Sequence, residues 1–283
     1  NTLKKHSEKN NGMVHTSSIN APQKVFKYIS INPSLNLKSA WVNETQEGIW
    51  NDSSFSFDKQ SKAGFATRTT GSFSMNANTQ IYGLIGIPFG PLRALRHVIS
   101  PSVGYSWTPD FSKPLFGKDL GYVLKEKDPN NPSREIFHDR FAGTMAGNTP
   151  RTERKSMTFS VNNIVQAKVK KGDEEKKIDL LSWRMNSSYN FAADSMHLAN
   201  LRSNIRSKLA GKLNLDVSMT HDFYGYDQNS KRRIKELNRN TNGIINPRLT
   251  NLRFSTGFRL KSKQWADSSD KKNSDLDTVF VDN

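Results

Sequence analysis

Seven basic residues stand at alternate positions between apolar ones: Arg184, Arg202, Arg206, Lys208, Lys212, Arg253 and Arg259. Guanidinium and ammonium groups on one face of a sheet can hold phosphates and carboxylates, arginine often through two bonds at once. The alternative is that they hydrate, or pair with acids on neighbouring strands. Groups for covalent or acid–base work are scattered. The six histidines form no H-E-x-x-H pattern, and no G-x-S-x-G elbow occurs. Asp194, Ser195 and His197 lie within one short connection, which suits a turn rather than a triad, and His221-Asp222 reads as a strand end. The glycines between Gly83 and Gly90 have the wrong spacing for a dinucleotide loop, and no helical pattern follows them. With no cysteine, disulfides, thiolate zinc sites and cysteine nucleophiles are all excluded. The expectation is a protein that is not an enzyme and carries no cofactor or metal.

Composition points to an anionic partner. The 283 residues carry 42 basic and 26 acidic side chains, a formal charge of +16. Such an excess suits nucleic acid, phospholipid headgroups or another phosphorylated surface. Hydrophobic residues make up 34%, and mean hydropathy is −0.71. No apolar run is long enough for a membrane helix, and the first residues lack the apolar core of a signal peptide. The chain starts without methionine and reads as part of something longer. Ribonucleoprotein strands and helical readers of nucleic acid are absent, so no nucleic-acid partner is expected.

Period-two alternation dominates the chain. Ile29, Ile31, Leu35, Leu37 and Trp41 alternate with mostly Ser, Asn and Lys. The same holds for Phe73, Met75, Ala77, Ile81, Ile85 and Ile87, for Met157, Phe159, Val161, Val165, Ala167 and Val169, and for Leu181, Trp183, Met185, Tyr189 and Phe191. Leu252, Phe254, Phe258 and Leu260 close the series. Leu201, Ile205, Leu209, Leu213, Leu215, Val217 and Met219 share one parity across Ala210-Gly211. A two-residue turn there would switch parity, so the spacing predicts one strand of about twenty residues. About seven long strands result, within 28–262. Short connections are expected at 88–96, 171–177 and 192–198, and long polar loops at 43–63, 110–154 and 225–247. Residues 1–27 read as a polar extension and 263–283 as a polar tail.

Two all-β architectures suit this pattern. One is a soluble sandwich or barrel with the apolar face inward. The other is an antiparallel transmembrane β-barrel, here an incomplete segment, with the apolar face outward and a wet lumen. Strands longer than the roughly 9–11 residues of a tilted crossing favour the second. So do the dense polar faces, and Trp41, Tyr105, Trp107, Trp183, Tyr189 and Tyr224 towards strand ends. One feature does not fit. Long loops in an up-and-down order fall on alternate connections, and 225–247 falls on the other side from 43–63 and 110–154. Either a strand is missing from the reading or that loop faces the other compartment.

The stretch from Leu95 to Pro114 has the residues of a strand, yet Pro101 interrupts it and Pro109 stops it. Arg96, His97, Pro101, Ser102, Val103, Tyr105, Trp107, Pro109, Asp110, Phe111 and Ser112 resemble a segment of the LPS-assembly outer-membrane LptD family (the OstA/Imp family), in its Bacteroidota form. Asn78 to Gly83, Tyr189-Asn190, Asp194-Ser195 and Asp222 to Tyr224 resemble further family segments in the same order. The resemblance runs from about Ile29 to Leu260.

That resemblance implies a large outer-membrane barrel. It would receive lipopolysaccharide from periplasmic Lpt bridge proteins and release it into the outer leaflet through a lateral opening between its first and last strands. An LptE-like lipoprotein would plug it, outer-membrane lipid would surround it, and the basic residues would line the lumen. Family members are several times longer, with an N-terminal periplasmic domain that nothing here matches and disulfides between the two domains. A general porin or solute channel, and a soluble basic β-protein binding nucleic acid, are the competing readings. Pro101 removes one ladder donor, so the sheet should be weak or bent there.

Overall fold

The computed structural model describes residues 11–89, 92–171, 174–209 and 213–258. Among them, strands account for all regular structure: β1 (Gly12–Asn20), β2 (Gln23–Val25), β3 (Ile29–Asn51), β4 (Ser56–Asn78), β5 (Ile81–Phe89), β6 (Leu92–Thr108), β7 (Val123–Asp128), β8 (Asn131–Asp139), β9 (Arg154–Lys171), β10 (Glu174–Asn190), β11 (Leu201–Leu209), β12 (Leu213–Asp222), β13 (Tyr224–Asp227), β14 (Arg232–Leu237) and β15 (Arg248–Phe258). One antiparallel sheet runs β1-β3-β4-β6-β9-β10-β11-β12-β15, with β2 on β3 and β5 on β6. β7–β8 and β13–β14 are separate hairpins. Among the described residues β1 and β15 do not meet, so this is a barrel wall that is not closed.

Register places the alternating apolar residues on one continuous face. One row of partners runs Pro33, Met75, Tyr105, Met157, Tyr189. Another runs Ile99, Asn163, Trp183, Ile205, Val217, Phe254. This face is bare: Met75 is 40% exposed, Val103 41%, Phe159 41% and Phe254 62%. A soluble sandwich or barrel would bury it. The buried cluster Ala40, Val42, Phe141 and Ala146 lies on the opposite, polar face. Two polar groups on the apolar face show the internal pairing that lipid contact favours. Trp183 Nε1 donates to buried Ser203 Oγ at 2.7 Å, and Ser207 Oγ to the Leu180 carbonyl at 2.7 Å.

The expected single strand from Leu201 to Met219 is a hairpin. Leu209 pairs with Leu213 and Ile205 with Val217. The strand ends leave three residues between them, 210–212, and a three-residue connection keeps odd partners opposite odd. Unchanged parity rules out a two-residue turn only. The added strand also removes the misfit in loop order. The connections 109–153, 191–200 and 223–247 now all leave one end of the wall, and 90–91, 172–173 and 210–212 the other.

The remaining boundaries differ from the expectation in instructive ways. Residues 43–63 are not a loop but the far half of the β3–β4 hairpin, which turns at 52–55. There Asn51 Oδ1 accepts from the amides of Ser53 and Ser54 at 2.9 and 3.2 Å. This ribbon projects past the apolar band, so nothing demands alternation in it. Gly64, at φ +149°, supplies the extra residue of a bulge opposite Asn43. Residues 12–25, expected as a polar extension, form β1 and β2 at the sheet edge. The spans 110–154 and 225–247 contain β7–β8 and β13–β14. Strand β6 starts at Leu92 and β10 at Glu174, so the connections expected at 88–96 and 171–177 are tighter. The tail 263–283 lies outside the described residues.

Two of the strand prolines, Pro101 and Pro33, act alike. Thr79 N donates to the Pro101 carbonyl at 3.2 Å, and proline has no N–H to return the bond. The neighbouring strand breaks there into β4 and β5, which keep one register on β6. Likewise Ala21 N donates to the Pro33 carbonyl at 3.1 Å, where β1 gives way to β2.

Candidate functional site

The polar face of β9–β12 and β15 gathers the basic residues. One row of partners is Ser160, Asn186, Arg202, Thr220, and the next is Asn162, Arg184, Asn204, Ser218, Arg253. The third is Ile164, Ser182, Arg206, Asp216, Ser255, and Lys208 follows opposite Asn214. Thus Arg184, Arg202, Arg206, Lys208 and Arg253 share one face. Lys212 and Arg259 lie outside the described residues.

They are not electrostatically equivalent. Arg206 Nε donates to Asp216 Oδ2 at 2.7 Å, and Asn204 Nδ2 donates to Asp216 Oδ1 at 3.0 Å. Arg206 is therefore neutralised within the wall. Arg184, Arg202, Lys208 and Arg253 have no carboxylate partner among the described residues. Arg202 borders an open groove of about 650 Å³ with Thr158, Ser160, Asn186, Ser188 and Arg233. Hydroxyls, amides and guanidinium groups in such a groove suit a sugar carrying phosphate or carboxylate.

Arg233 reaches the groove from β14 and carries no signal in the strand pattern. Its position is set by Asp222 at the end of β12. The Asp222 carboxylate is buried; it accepts from Arg233 Nη2 at 2.8 Å and from Tyr224 N at 3.0 Å, and Arg248 Nη2 stands 4.0 Å away. The Arg233 guanidinium covers the Tyr224 ring at 4.8 Å. Tyr224 Oη accepts from Leu198 N at 3.0 Å, tying 191–200 to 223–247. The family-like Asp222–Tyr224 motif is thus a strand end that anchors two connections.

The segment 109–153 folds over the polar face of the β3–β4 hairpin. Arg68 of β4 is buried, and its guanidinium donates to the carbonyls of Gly147 (2.6 Å) and Ala146 and to Thr149 Oγ1 (3.0 Å). Thr149 Oγ1 in turn donates to Asp139 Oδ1 at 2.8 Å. Phe141, 2% exposed, packs on Ala40 and Val42, with Tyr122 edge-on at 5.6 Å and Arg68 over its ring at 5.4 Å. The open strand edges are also capped. Gln46 N donates to the Arg140 carbonyl at 2.9 Å, and Thr69 N donates to Tyr122 Oη at 3.0 Å. Sequence reasoning missed Arg68, Phe141 and Asp139. The one available signal was Ala40 and Val42, apolar residues on the polar parity of β3.

The motif residues around Pro101 divide by role. Arg96 lies over the Tyr82 ring at 4.8 Å, and His97 pairs with Gly83 and Val165 in the ladder. The Tyr105 ring is 6.3 Å from that of Phe73, and Trp107 Nε1 donates to Glu153 at 2.9 Å. Beyond Pro109 the chain turns on Asp110, whose carboxylate accepts from Ser112 N at 2.9 Å and Ser112 Oγ at 2.6 Å. Phe111 is buried, and its amide donates to the Pro150 carbonyl at 2.9 Å. Tyr105 to Phe111 form the wall end and start the fold of 109–153, Arg96 and His97 lie nearer the other end of β6, and none of these residues lines the groove beside Arg202.

The described residues contain no cluster of His, Asp or Glu able to hold a metal. No helix among them is long and apolar enough to cross a membrane, which leaves crossing by strands open. No curated protein and no solved structure matches the chain. A family model described as LptD protein matches residues 1–224. That is well over half of the 283 residues, and with the open antiparallel wall it establishes that the chain belongs to the LptD protein family.

Proposed function

We propose that the chain is a wall segment of an outer-membrane β-barrel that inserts lipopolysaccharide into the outer leaflet, as a conduit and not an enzyme. The observation that carries this reading is the two-faced wall. Its apolar side is bare across the sheet, and its opposite side holds the basic groups and the only buried core among the described residues. Family membership supports the lipopolysaccharide cargo. Phosphates and acidic sugars of the cargo would pass along Arg184, Arg202, Lys208 and Arg253, and also along Lys212 and Arg259 if these follow the strand parity. Arg206 would contribute less, because Asp216 already neutralises it. Long connections on one end fit the outer surface and short turns the periplasmic side. An LptE-like lipoprotein and the periplasmic Lpt bridge proteins are the partners this reading requires.

The test is a spin-label scan along β11 and β12 in the parent full-length protein in outer-membrane vesicles. Odd positions should relax with oxygen and even positions with a water-soluble reagent. Odd positions shielded from both reagents would mean a soluble core and end the reading. Ion conductance through an open pore, without dependence on lipopolysaccharide, would indicate a solute channel instead.

A further inference from the structure

The ladder between β4 and β6 starts at Asn78–Ser102 and stops at Phe73–Trp107, because β6 ends at Thr108. Above it β4 continues from Ser72 back to Ser56 with no partner strand on that side among the described residues. The chain leaving β6 folds back into this seam. Leu115 and Lys118 exchange backbone bonds at 2.9 and 3.1 Å around a two-residue turn, Phe116-Gly117. Both turn residues have positive φ, 51° and 81°. Glycine adopts that conformation freely, whereas a phenylalanine there is held under strain. The turn nevertheless presents Phe116 to the outside, 89% exposed, with its ring edge-on to Trp107 at 6.2 Å.

Between this turn and the wall lies a slot of about 210 Å³ lined by Leu35, Leu37, Phe73, Trp107, Leu115 and Phe116. Leu35, Leu37, Phe73 and Trp107 have the parity of the bare apolar face, so the slot is continuous with that face. Gly71 forms part of its floor; a Cβ there would stand 2.8 Å from Leu37 Cδ2. A second hollow lies behind it on the other face, bordered by Thr16, Asn36, Lys38, Ser72 and Thr108 together with Leu37, Phe111 and Pro150. Buried Phe111 lines both and separates them. The apolar slot is therefore closed on the polar side and open beside Phe116.

We propose that this slot holds one acyl chain of a lipid from the surrounding leaflet, entering past Phe116 and stopping against Phe111. The inference rests on the membrane reading of the apolar face. The lining commits the occupant. Thr69, Thr70 and Ser72 also border the slot, but the Thr69 hydroxyl is paired with Ser39 Oγ at 2.9 Å and the Thr70 hydroxyl donates to the Lys38 carbonyl at 3.4 Å, and the rest of the lining is mostly apolar, which disfavours a sugar or a peptide backbone. Its volume falls below the roughly 300–1,000 Å³ of sites for whole drug-sized ligands, so it admits the end of a chain and not an entire amphiphile. Lys113 and Lys118 flank the turn at its rim. Lys113 is paired with Asp110 at 3.6 Å. The exposed, strained Phe116 and the edge of Trp107 mark the mouth at the height where aromatic side chains meet headgroups.

The experiment places a photoreactive residue at Leu35 or at Val103 in the parent full-length protein. The protein is reconstituted in vesicles of phosphatidylethanolamine and phosphatidylglycerol with alkyne-tagged acyl chains. Both positions should cross-link lipid in vesicles. After extraction into detergent and gel filtration, the Val103 signal should vanish, because bulk lipid exchanges, and the Leu35 signal should persist. Leu37→Trp, which fills the slot, should lower the retained Leu35 signal several-fold while Val103 cross-linking in vesicles stays unchanged. Loss of the Leu35 signal in detergent to the same extent as Val103, or no effect of Leu37→Trp, overturns the slot. No cross-link at Val103 in vesicles would overturn the membrane reading itself.

Discussion

Arg68 Nη1 and Thr149 Oγ1 meet at 3.0 Å, 81 positions apart in the chain, and join the barrel wall to the segment that covers it. Thr149 accepts from the cation and donates to Asp139, so the charge of a buried arginine is balanced through a hydroxyl instead of a direct ion pair. Replacing Arg68 with methionine leaves the carbonyls of Ala146 and Gly147 unpaired, at a cost of about 1–3 kcal/mol to the cover. Limited proteolysis of the detergent-purified full-length protein should cut within 109–153 faster than in wild type, while the wall melts as before. Equal cleavage rates would show that Arg68 does not pin the segment.

Phe141→Ala should act on the same cover through packing. The side chain is the largest fully buried one among the described residues, and truncations of this kind cost about 3–5 kcal/mol. Cleavage in 109–153 should rise further than with Arg68→Met. Since the loss is local, heat-modified migration of the barrel should remain normal; a barrel that fails to assemble would show that the cover is needed for wall folding.

Pro101→Val restores a donor facing Thr79. The ladder from β4 into β5 should close, gaining about 0.5–1.5 kcal/mol for one hydrogen bond. Hydrogen exchange of the amides around Thr79–Tyr82 should slow. Unchanged exchange, stability and transport together would count against a role for Pro101 in shaping the wall.

Arg202 and Arg206 should behave differently towards lipopolysaccharide although they lie four residues apart on one face. Arg202→Ala removes an unpaired guanidinium and should lower cross-linking to lipopolysaccharide roughly tenfold, the equivalent of about 1.5 kcal/mol for a charge-assisted bond. Arg206→Ala should change it little, since Asp216 holds that cation. Asp216→Asn should release Arg206 and raise cross-linking. Equal effects of the two arginine substitutions would refute the distinction.

Asp222→Asn should loosen both connections at the wall end. Breaking a buried pair costs about 3–5 kcal/mol, and partial exposure of Arg233 and Arg248 lowers this to about half. Proteolysis within 223–247 should accelerate and Arg233 should leave the groove. Unchanged protection of that span would assign its order to something other than Asp222.

Amino-acid order alone determined the two faces of the wall. Side chains alternate along any strand, so Met75, Trp183, Val217 and Phe254 declare a face wherever lipid or core demands one. The same rule placed Arg184, Arg202, Arg206, Lys208 and Arg253 together. It could not count strands through 210–212, because a three-residue connection leaves parity intact, nor see β3–β4 extend through 43–51, where no apolar band imposes a pattern. Which face is bare, which arginine is neutralised, and how Arg68 reaches Thr149 were decided only by the tertiary structure. Each depends on a contact between distant positions, such as Asp216 opposite Arg206 or Phe141 on Ala40. Local periodicity carries no record of such contacts.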